Sequence, residues 1–298
     1  MAHITRVPRK GLQSEAEVLD FAEGSVGLIE SHEDISRPGS PHRVSKLRTR
    51  AGDDLIAKWC ADAPSYFKIF DALGHYAKPL GTSAPRLIDH HDGLKAILMT
   101  TLPGAPADAL QAQDPVMHYR VGQIIRRFHE SAPATHSRDI TTQLASTLSR
   151  LVDQSEHDLG PLGTAELRTL GMQLLDLGEL SLQPLHGYLS PEHWMIDTDY
   201  GVQLMSFSKS EYDPWIMDTA VLERDYWAYS PELKSAFFSG YDKTPSEQDG
   251  VLLRAKQAMD ALTAWVQLGT GRHAKKASRK DRILAWSRVE QATGATLF

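Results

Sequence analysis

Apolar residues follow a strand-like pattern in the first hundred residues of the chain and a helical pattern in most of the remainder. Short apolar runs at 44–48 and 55–59, separated by the turn 51–54, predict one hairpin. Runs at 86–89 and 96–100 predict a second hairpin around the turn 90–93. Ahead of them, Ser14 and Glu17 have capping-box spacing and predict the start of a short amphipathic helix.

A further helix is predicted at 64–76, between the two hairpins, with Phe67, Phe70 and Leu73 facing inward. Beyond residue 104, Val121 begins a helical apolar face that continues through 124, 125 and 128, and His129 closes this helix. We expect His129 to pack rather than to catalyse. Comparable faces predict helices at 144–152, 167–177 and 252–266. Ser230 and Pro231, which are good N-cap and N1 residues, predict a further helix that ends near Gly240.

Between these helices, the segment 185–218 returns to strand spacing. Apolar runs at 194–196 and 202–205 flank the turn 197–201, which predicts a short hairpin. His186, Gly187 and Tyr188 precede this hairpin directly after an apolar residue, and His193 follows Tyr188 by five residues.

Composition excludes several classes of protein. The 298 residues fit one large or two modest domains, and a net charge of −6 argues against a general nucleic-acid binder. The single cysteine, Cys60, cannot form an internal disulfide. Because there is neither a membrane-length apolar run nor a signal-peptide core, we expect a soluble, cytoplasmic protein without membrane contact. The acidic and histidine-rich turn 89–92 and the basic tail 271–282 are both interpreted as solvated segments.

The segment 185–218 resembles the aminoglycoside phosphotransferase and choline kinase-like family. That family has the pattern H-G-D-x-x-x-x-N, then I-D-[FW], then G-D-P-x-x-D-L-A. The matching positions are His186, Gly187, Tyr188, His193, Met205, Ser206, Phe207, Tyr212, Asp213, Pro214, Asp218, Thr219 and Ala220. The segments 98–104 and 237–241 resemble the family's interlobe linker and its F-x-x-G-Y motif.

The resemblance implies a bilobal, protein-kinase-like α+β fold. Residues 1–103 would form a nucleotide-binding-type lobe with a five-stranded antiparallel sheet plus a helix, and residues 104–298 a mainly helical lobe. It implies ATP as the ligand between them, with Lys58 pairing its phosphates, Gly39 and Ser40 in the covering loop, and Thr100 and Leu102 beside the adenine. At Lys68 or Ile69, where an active kinase holds the strand lysine with a Glu, the chain has no acid.

The family's chemistry is altered at three positions, where Tyr188 replaces an Asp, His193 an Asn and Ser206 a metal-binding Asp. A phenol donates a proton at pH 7, imidazole suits softer metals, and a neutral hydroxyl binds Mg²⁺ weakly. The usual Mg²⁺ arrangement is therefore not expected. Glu192 is the candidate replacement metal ligand. The candidate catalytic residues are His186, Tyr188, His193 and Ser206.

Three functions remain open. The preferred one is a pseudokinase that binds a small molecule or peptide in the interlobe cleft, or supports a protein partner, in a biosynthetic or modification pathway. The second is a divergent phosphotransferase acting on a small hydroxylated metabolite or on peptide Ser/Thr. The third is an enzyme of another class, with Tyr188 as acid and His193 as base.

Overall fold

The structure, a computed structural model, describes residues 15–269 and 278–293. The small lobe, which runs from α1 to β5, is built on an antiparallel sheet with the strand order β1-β2-β3-β5-β4. Its elements are α1 (Glu15–Val26), β1 (Ile29–Asp34), β2 (Arg43–Thr49), β3 (Asp54–Trp59), α2 (Ala63–Asp71), β4 (Leu87–His91) and β5 (Ala96–Thr100). The predicted five-stranded sheet and both predicted hairpins are confirmed.

The two faces of this sheet are covered by different parts of the chain. Leu47, Leu55 and Ala57 point to one face, where they pack with α1 in a small core. Ile97 and Met99 point to the other face and belong to the core that extends through α2 into the rest of the protein. The second face is therefore the one that meets the large lobe.

The register predicted for α2 is wrong at Phe67. That side chain is 51% exposed, whereas Tyr66 and Ile69 are buried. Tyr66 is fixed inward by its hydroxyl, which donates to Asp92 Oδ1 at 2.5 Å. Leu73 is buried as predicted, within a π-helical turn, Ala72–Tyr76, that continues α2.

The large lobe, from β6 to α8, is mainly helical. Its elements are β6 (Ala105–Pro106), α3 (Pro115–His129), β7 (Thr135–Ser137), α4 (Asp139–Asp176), β8 (Leu180–Leu185), β9 (Trp194–Ile196), β10 (Val202–Leu204), β11 (Glu211–Asp213), α5 (Ala220–Leu222), α6 (Pro231–Tyr241), α7 (Glu247–Gly269) and α8 (Arg279–Thr293). The helix α4 breaks at Gly160, where φ is 66°, ahead of Pro161. This break separates the two helices that the leucine spacing predicts.

The helices α3 and α6 cross at two glycines. A Cβ on Gly122 would overlap the Phe237 carbonyl, and a Cβ on Gly240 would overlap the Tyr119 carbonyl. The glycine of the F-x-x-G-Y motif therefore permits a backbone contact that any larger residue would block.

Two small sheets position the segment 185–218. One has the order β10-β9-β6 and the other β11-β8-β7. The loop 186–193 runs from the end of β8 to the start of β9, so both of its ends are fixed by strand pairing. Among the helices of residues 15–269 and 278–293, none is both long enough and apolar enough to cross a bilayer. The predicted Ser14 cap and residues 271–277 of the basic tail lie outside the described residues.

Candidate active-site cleft

One buried carboxylate holds the start of the loop 186–193. Asp218 Oδ2 accepts the backbone N–H of His186 at 2.8 Å, and its Oδ1 accepts that of Gly187 at 2.6 Å. Burial opposes ionisation of Asp218, but the hydrogen bond and charge of His129 and the neighbouring His186 outweigh it and lower the pKa of this carboxyl. The loop is thus built around a stable buried anion.

A second layer supports this carboxylate from behind. His129 Nε2 donates to Asp218 Oδ2 at 2.9 Å. The Tyr241 hydroxyl lies 2.8 Å from His129 Nδ1, and burial raises the pKa of Tyr241 and keeps the phenol protonated. His129 is therefore a buried packing and orienting residue, as predicted.

Gly187 allows the loop to approach the next segment closely. Its φ is +82°, and a Cβ there would overlap the Lys209 carbonyl. Lys209 ends the 3-10 helix Phe207–Lys209, which directly follows Ser206. The glycine therefore fixes where the segment after Ser206 lies relative to the loop.

The two loop histidines are buried and neutral. His186 Nε2 donates to the Met205 carbonyl at 2.8 Å, and burial lowers its pKa. Burial, helped by the nearby His186, lowers the pKa of His193 to about 4. His193 is thus uncharged at pH 7 and donates from Nδ1 to the Tyr188 carbonyl at 3.1 Å, which leaves a lone pair on Nε2.

Tyr188 presents a phenol where the family has a carboxylate. Its side chain is 38% exposed, and its ring packs edge-on against His193 with 5.5 Å between the centroids. Arg224 and Tyr226 lie near Tyr188. The Arg224 guanidinium is held by Asp225 through two hydrogen bonds of 2.8 and 2.7 Å.

Ser206 occupies the position of the family's metal-binding Asp in an unusual backbone conformation. Its φ and ψ are 73° and 57°, in the left-handed region. Outside glycine, this region is favoured by Asn and Asp rather than by Ser. The backbone therefore retains a shape that suits the residue the family has here, although the carboxylate is absent.

The residues around this position do not fit Mg²⁺. In the part of the chain that the structure describes, no three His, Cys, Asp or Glu side chains are grouped to hold a metal. Glu192, the candidate replacement ligand, lies 3.5 Å from Arg37 Nη1 and 3.9 Å from His193 Nε2. A carboxylate beside a guanidinium and an imidazole lacks the oxygen partners that Mg²⁺ requires.

Lys58 lies on the cleft-facing side of β3, opposite Val44 and Ile97 of the neighbouring strands. Burial lowers its pKa. Within residues 15–269 and 278–293, no carboxylate forms an ion pair with it. Lys68, near the position of the kinase Glu on α2, instead binds Glu211 at 2.6 Å and ties α2 to β11.

The predicted covering loop is short and partly engaged in its own turn. Gly39 has a φ of +81°, and Ser40 N–H donates to the Arg37 carbonyl at 3.0 Å. Ser40 Oγ accepts the backbone N–H of His42 at 3.1 Å. The Ser40 hydroxyl is therefore used to shape the loop.

The predicted adenine-side residues lie at the end of β5 and just beyond it. Thr100 Oγ1 accepts the Arg86 N–H at 2.9 Å. Leu102 is half-buried between β5 and β6. β6 pairs with β9, so this linker is joined directly to the hairpin that follows the loop 186–193.

Three cationic or ionisable residues of the cleft were missed by the sequence interpretation: Arg37, His42 and Lys209. Arg37 and His42 belong to the proline-rich loop between β1 and β2, in which the family resemblance indicates only Gly39 and Ser40. Lys209 follows Ser206 by only three residues, and this short separation is the feature of the sequence that could have indicated that Lys209 lies near the cleft.

Comparison with solved structures identifies the fold. An amicoumacin kinase, hAmiN, matches with a TM-score of 0.68 and 14% identity over 96% of this chain and 95% of that chain. The macrolide 2'-phosphotransferase MphH of Brachybacterium faecium matches with a TM-score of 0.65 and 14% identity over 92% and 97%. The choline kinase LicA of Streptococcus pneumoniae matches with a TM-score of 0.65 and 13% identity over 94% and 98%. The predicted bilobal, kinase-like fold is confirmed.

No curated protein sequence matches the chain. A sequence model described as the phosphotransferase enzyme family, APH, matches residues 38–253, well over half of the chain. The match contains β2, β3 and the whole segment 185–218. The chain therefore belongs to the APH phosphotransferase enzyme family.

Proposed function

We propose that this protein is a pseudokinase of the APH family, a binding protein that has lost ordinary metal-assisted phosphoryl transfer. One observation carries the proposal. The supporting network around Asp218 is complete, whereas Tyr188, His193 and Ser206 occupy the three reactive positions in front of it.

The lost residues are those that phosphoryl transfer depends on. Bound Mg²⁺ neutralises phosphate charge in kinases, and a carboxylate orients the attacking hydroxyl. Ser206 and His193 do not provide a Mg²⁺ site, and a phenol is a poorer proton acceptor than the carboxylate that orients the hydroxyl in kinases. Removal of a general base alone lowers a rate about 10²- to 10⁴-fold.

The geometry gives less support to an enzyme that uses His193 as a base. With a pKa of about 4, this imidazole binds a proton weakly at neutral pH. Its Nδ1 is also committed to the Tyr188 carbonyl. His193 is better suited to shaping the loop than to removing a proton.

The ligand that we propose is a small molecule in the cleft between a lobe of residues 1–103 and a lobe of residues 104–298. Two similar structures support this proposal, the amicoumacin kinase in complex with AMP-PNP, Ca²⁺ and Ami and a spectinomycin phosphotransferase in complex with ADP and spectinomycin. In this chain, Lys58 faces the same cleft from β3, and ATP is the first nucleotide to test.

A divergent phosphotransferase remains the second candidate, because the chain belongs to a phosphotransferase family and Glu192 lies at the cleft. Calorimetric titration of ATP with and without Mg²⁺, followed by a phosphate-release assay with hydroxylated acceptors, separates the two. Binding without turnover is expected. ATP turnover that depends on Mg²⁺ and is abolished by Glu192→Gln would establish the second candidate instead.

A further inference from the structure

The cleft contains a lysine close to where the family has its metal-binding carboxylate. Lys209 ends the 3-10 helix after Ser206, which packs against α2 of the small lobe. Its carbonyl and Cβ lie against Gly187, so the backbone of this lysine is fixed between the loop 186–193 and the small lobe. Lys209 is therefore a positioned residue on an exposed edge of the cleft.

His42 lies near both this lysine and the lysine of β3. Burial lowers its pKa, and the positive charges of Lys58 and, more weakly, Lys209 lower it further. Its Nδ1 accepts the Ala61 N–H at 3.2 Å, so the neutral ring carries its proton on Nε2. The cleft thus combines two ammonium groups with a neutral N–H donor.

Arg37 adds a fourth donor from the loop between β1 and β2. It lies close enough to Lys58 to lower the pKa of that ammonium further, after the larger effect of burial. Its guanidinium is 3.5 Å from Glu192, and both side chains are about half exposed. Such an exposed pair exchanges partners readily because it contributes little to stability.

The nearby acids are already engaged. Asp62 caps α2 by accepting the Ser65 N–H at 2.7 Å, and Glu192 faces Arg37. Lys58 has no acidic ion-pair partner among the described residues. A partly buried cation without an anion is unfavourable, and an anionic ligand would remove that cost.

We infer that the cleft binds a ligand with two or more adjoining phosphate groups directly through Lys58, Lys209 and Arg37, without a divalent metal. This inference rests on the proposed function, because it assigns the positive charge that Mg²⁺ supplies in an active kinase to side chains of this protein. A hard dication would add repulsion in a cleft that already holds three cations and lacks its oxygen ligands.

The test is calorimetric titration of the whole chain with pyrophosphate, ADP and AMP in EDTA, repeated with excess Mg²⁺. Pyrophosphate and ADP are expected to bind in EDTA more tightly than AMP, and Mg²⁺ is expected to weaken them. Lys209→Gln is expected to weaken ADP binding about 10- to 100-fold, as for the loss of a charged hydrogen bond. Lys58→Met is expected to weaken ADP binding to a similar degree. Lys78→Gln is the control, because Lys78 is an exposed lysine after α2, and it is expected to leave ADP binding unchanged.

The comparison of pyrophosphate with ADP also shows whether the site binds free phosphates or a nucleotide. Equal affinity for pyrophosphate and ADP supports a site for the phosphates alone, and tighter binding of ADP supports a nucleotide site. The inference is overturned if ADP binds Lys209→Gln as it binds the natural chain, if binding requires Mg²⁺, or if no probe binds. In those cases the pseudokinase proposal stands as long as ATP is not turned over, whereas metal-dependent turnover would overturn the proposed function itself.

Discussion

The two sides of the loop 186–193 differ in how closely they keep to the family pattern. Behind the loop, Asp218, His129 and Tyr241 form a buried chain of hydrogen bonds that ends on the backbone of His186 and Gly187. In front of the loop, Tyr188 and Ser206 stand where the family pattern has carboxylates. The residues that support the loop are thus separate from those at its front, and the proposed function assigns a change of chemistry to the front alone.

The electrostatics of the two sides are also opposite. The rear holds an anion, Asp218, whose ionised form is favoured by His129 although burial opposes it. The front holds the cations Lys58 and Lys209, and His42 lies near both. The comparison predicts that changes at the rear affect folding, whereas changes at the front affect ligand and metal binding.

The largest expected effect is at the rear, with Asp218→Asn. The amide keeps the shape of the side chain but places an N–H₂ group against backbone N–H donors. It also leaves the buried His129 without its negatively charged partner. We expect the free energy of unfolding to fall by about 3–5 kcal/mol, as when one partner of a buried ion pair is lost. Urea denaturation followed by circular dichroism measures this change.

Asp242→Asn is the matched control for that variant. Asp242 also pairs with a cation, Arg126, but its side chain is 79% exposed. We expect no measurable change in the urea midpoint, because solvent screens such a pair. Equal losses in the two variants would contradict the view that Asp218 supports the loop from a buried position.

The second largest effect is expected for Gly187→Ala. Gly187 bonds Asp218 through its N–H and lies against Lys209 of the cleft. The alanine would adopt a positive φ and its Cβ would overlap the Lys209 carbonyl. We expect a loss of roughly 2–4 kcal/mol from backbone strain and overpacking combined. Gly39→Ala has nearly the same φ but open space around its Cβ, and it should lose only about 1–2 kcal/mol. Thermal and urea unfolding of both variants separate strain from contact.

A smaller effect is expected from the protonation of His193. Its pKa falls from 6.5 unfolded to about 4 folded, so the unfolded chain binds more protons between these pH values. The resulting stabilisation is complete above about pH 6.5 and is lost as the pH falls through 4, with an upper limit of about 3 kcal/mol.

Unfolding free energies from pH 4.5 to 8 measure this dependence. His193→Asn should flatten the slope below pH 6.5, although His186, whose pKa is also lowered by burial, retains part of it. An unchanged slope in His193→Asn would show that His193 is not buried in its neutral form.

Much of the fold could be predicted from the sequence because its signals are local. The spacing of Val121 and its successors along α3, and the turns at 51–54 and 90–93, each lie within one element. The failure at Phe67 has a tertiary cause, since Tyr66 is drawn inward by a hydrogen bond to Asp92, 26 residues away. Helical spacing cannot report such a partner.

The candidate site was predictable in position and less so in chemistry. The family pattern identifies Tyr188, His193 and Ser206 as candidates, but these residues do not reveal which groups would carry the positive charge in a metal-free cleft. The orientation of Lys209 depends on the close contact of its backbone with Gly187, 22 positions earlier in the chain, and His42 comes near it only when the lobes are assembled. These relations follow from tertiary packing.

The smallest effect that we predict comes from restoring the family's residues at positions 188, 193 and 206, while Asp218, His129 and Tyr241 are left unchanged. In the triple variant Tyr188→Asp, His193→Asn and Ser206→Asp, the left-handed backbone at 206 already suits an Asp. We expect ATP with Mg²⁺ to stabilise this variant by roughly 1–2 kcal/mol more than ATP with EDTA, at ATP about tenfold above its dissociation constant.

The control for the triple variant carries Asn instead of Asp at 206, which matches the shape without the metal-binding charge. A Mg²⁺-dependent rise in melting temperature in the triple variant alone would show that the rear support still presents a kinase loop. The same rise in the control would assign it to something other than a restored carboxylate, and no rise in either would show that Lys209 or the cleft around it has diverged beyond these three positions.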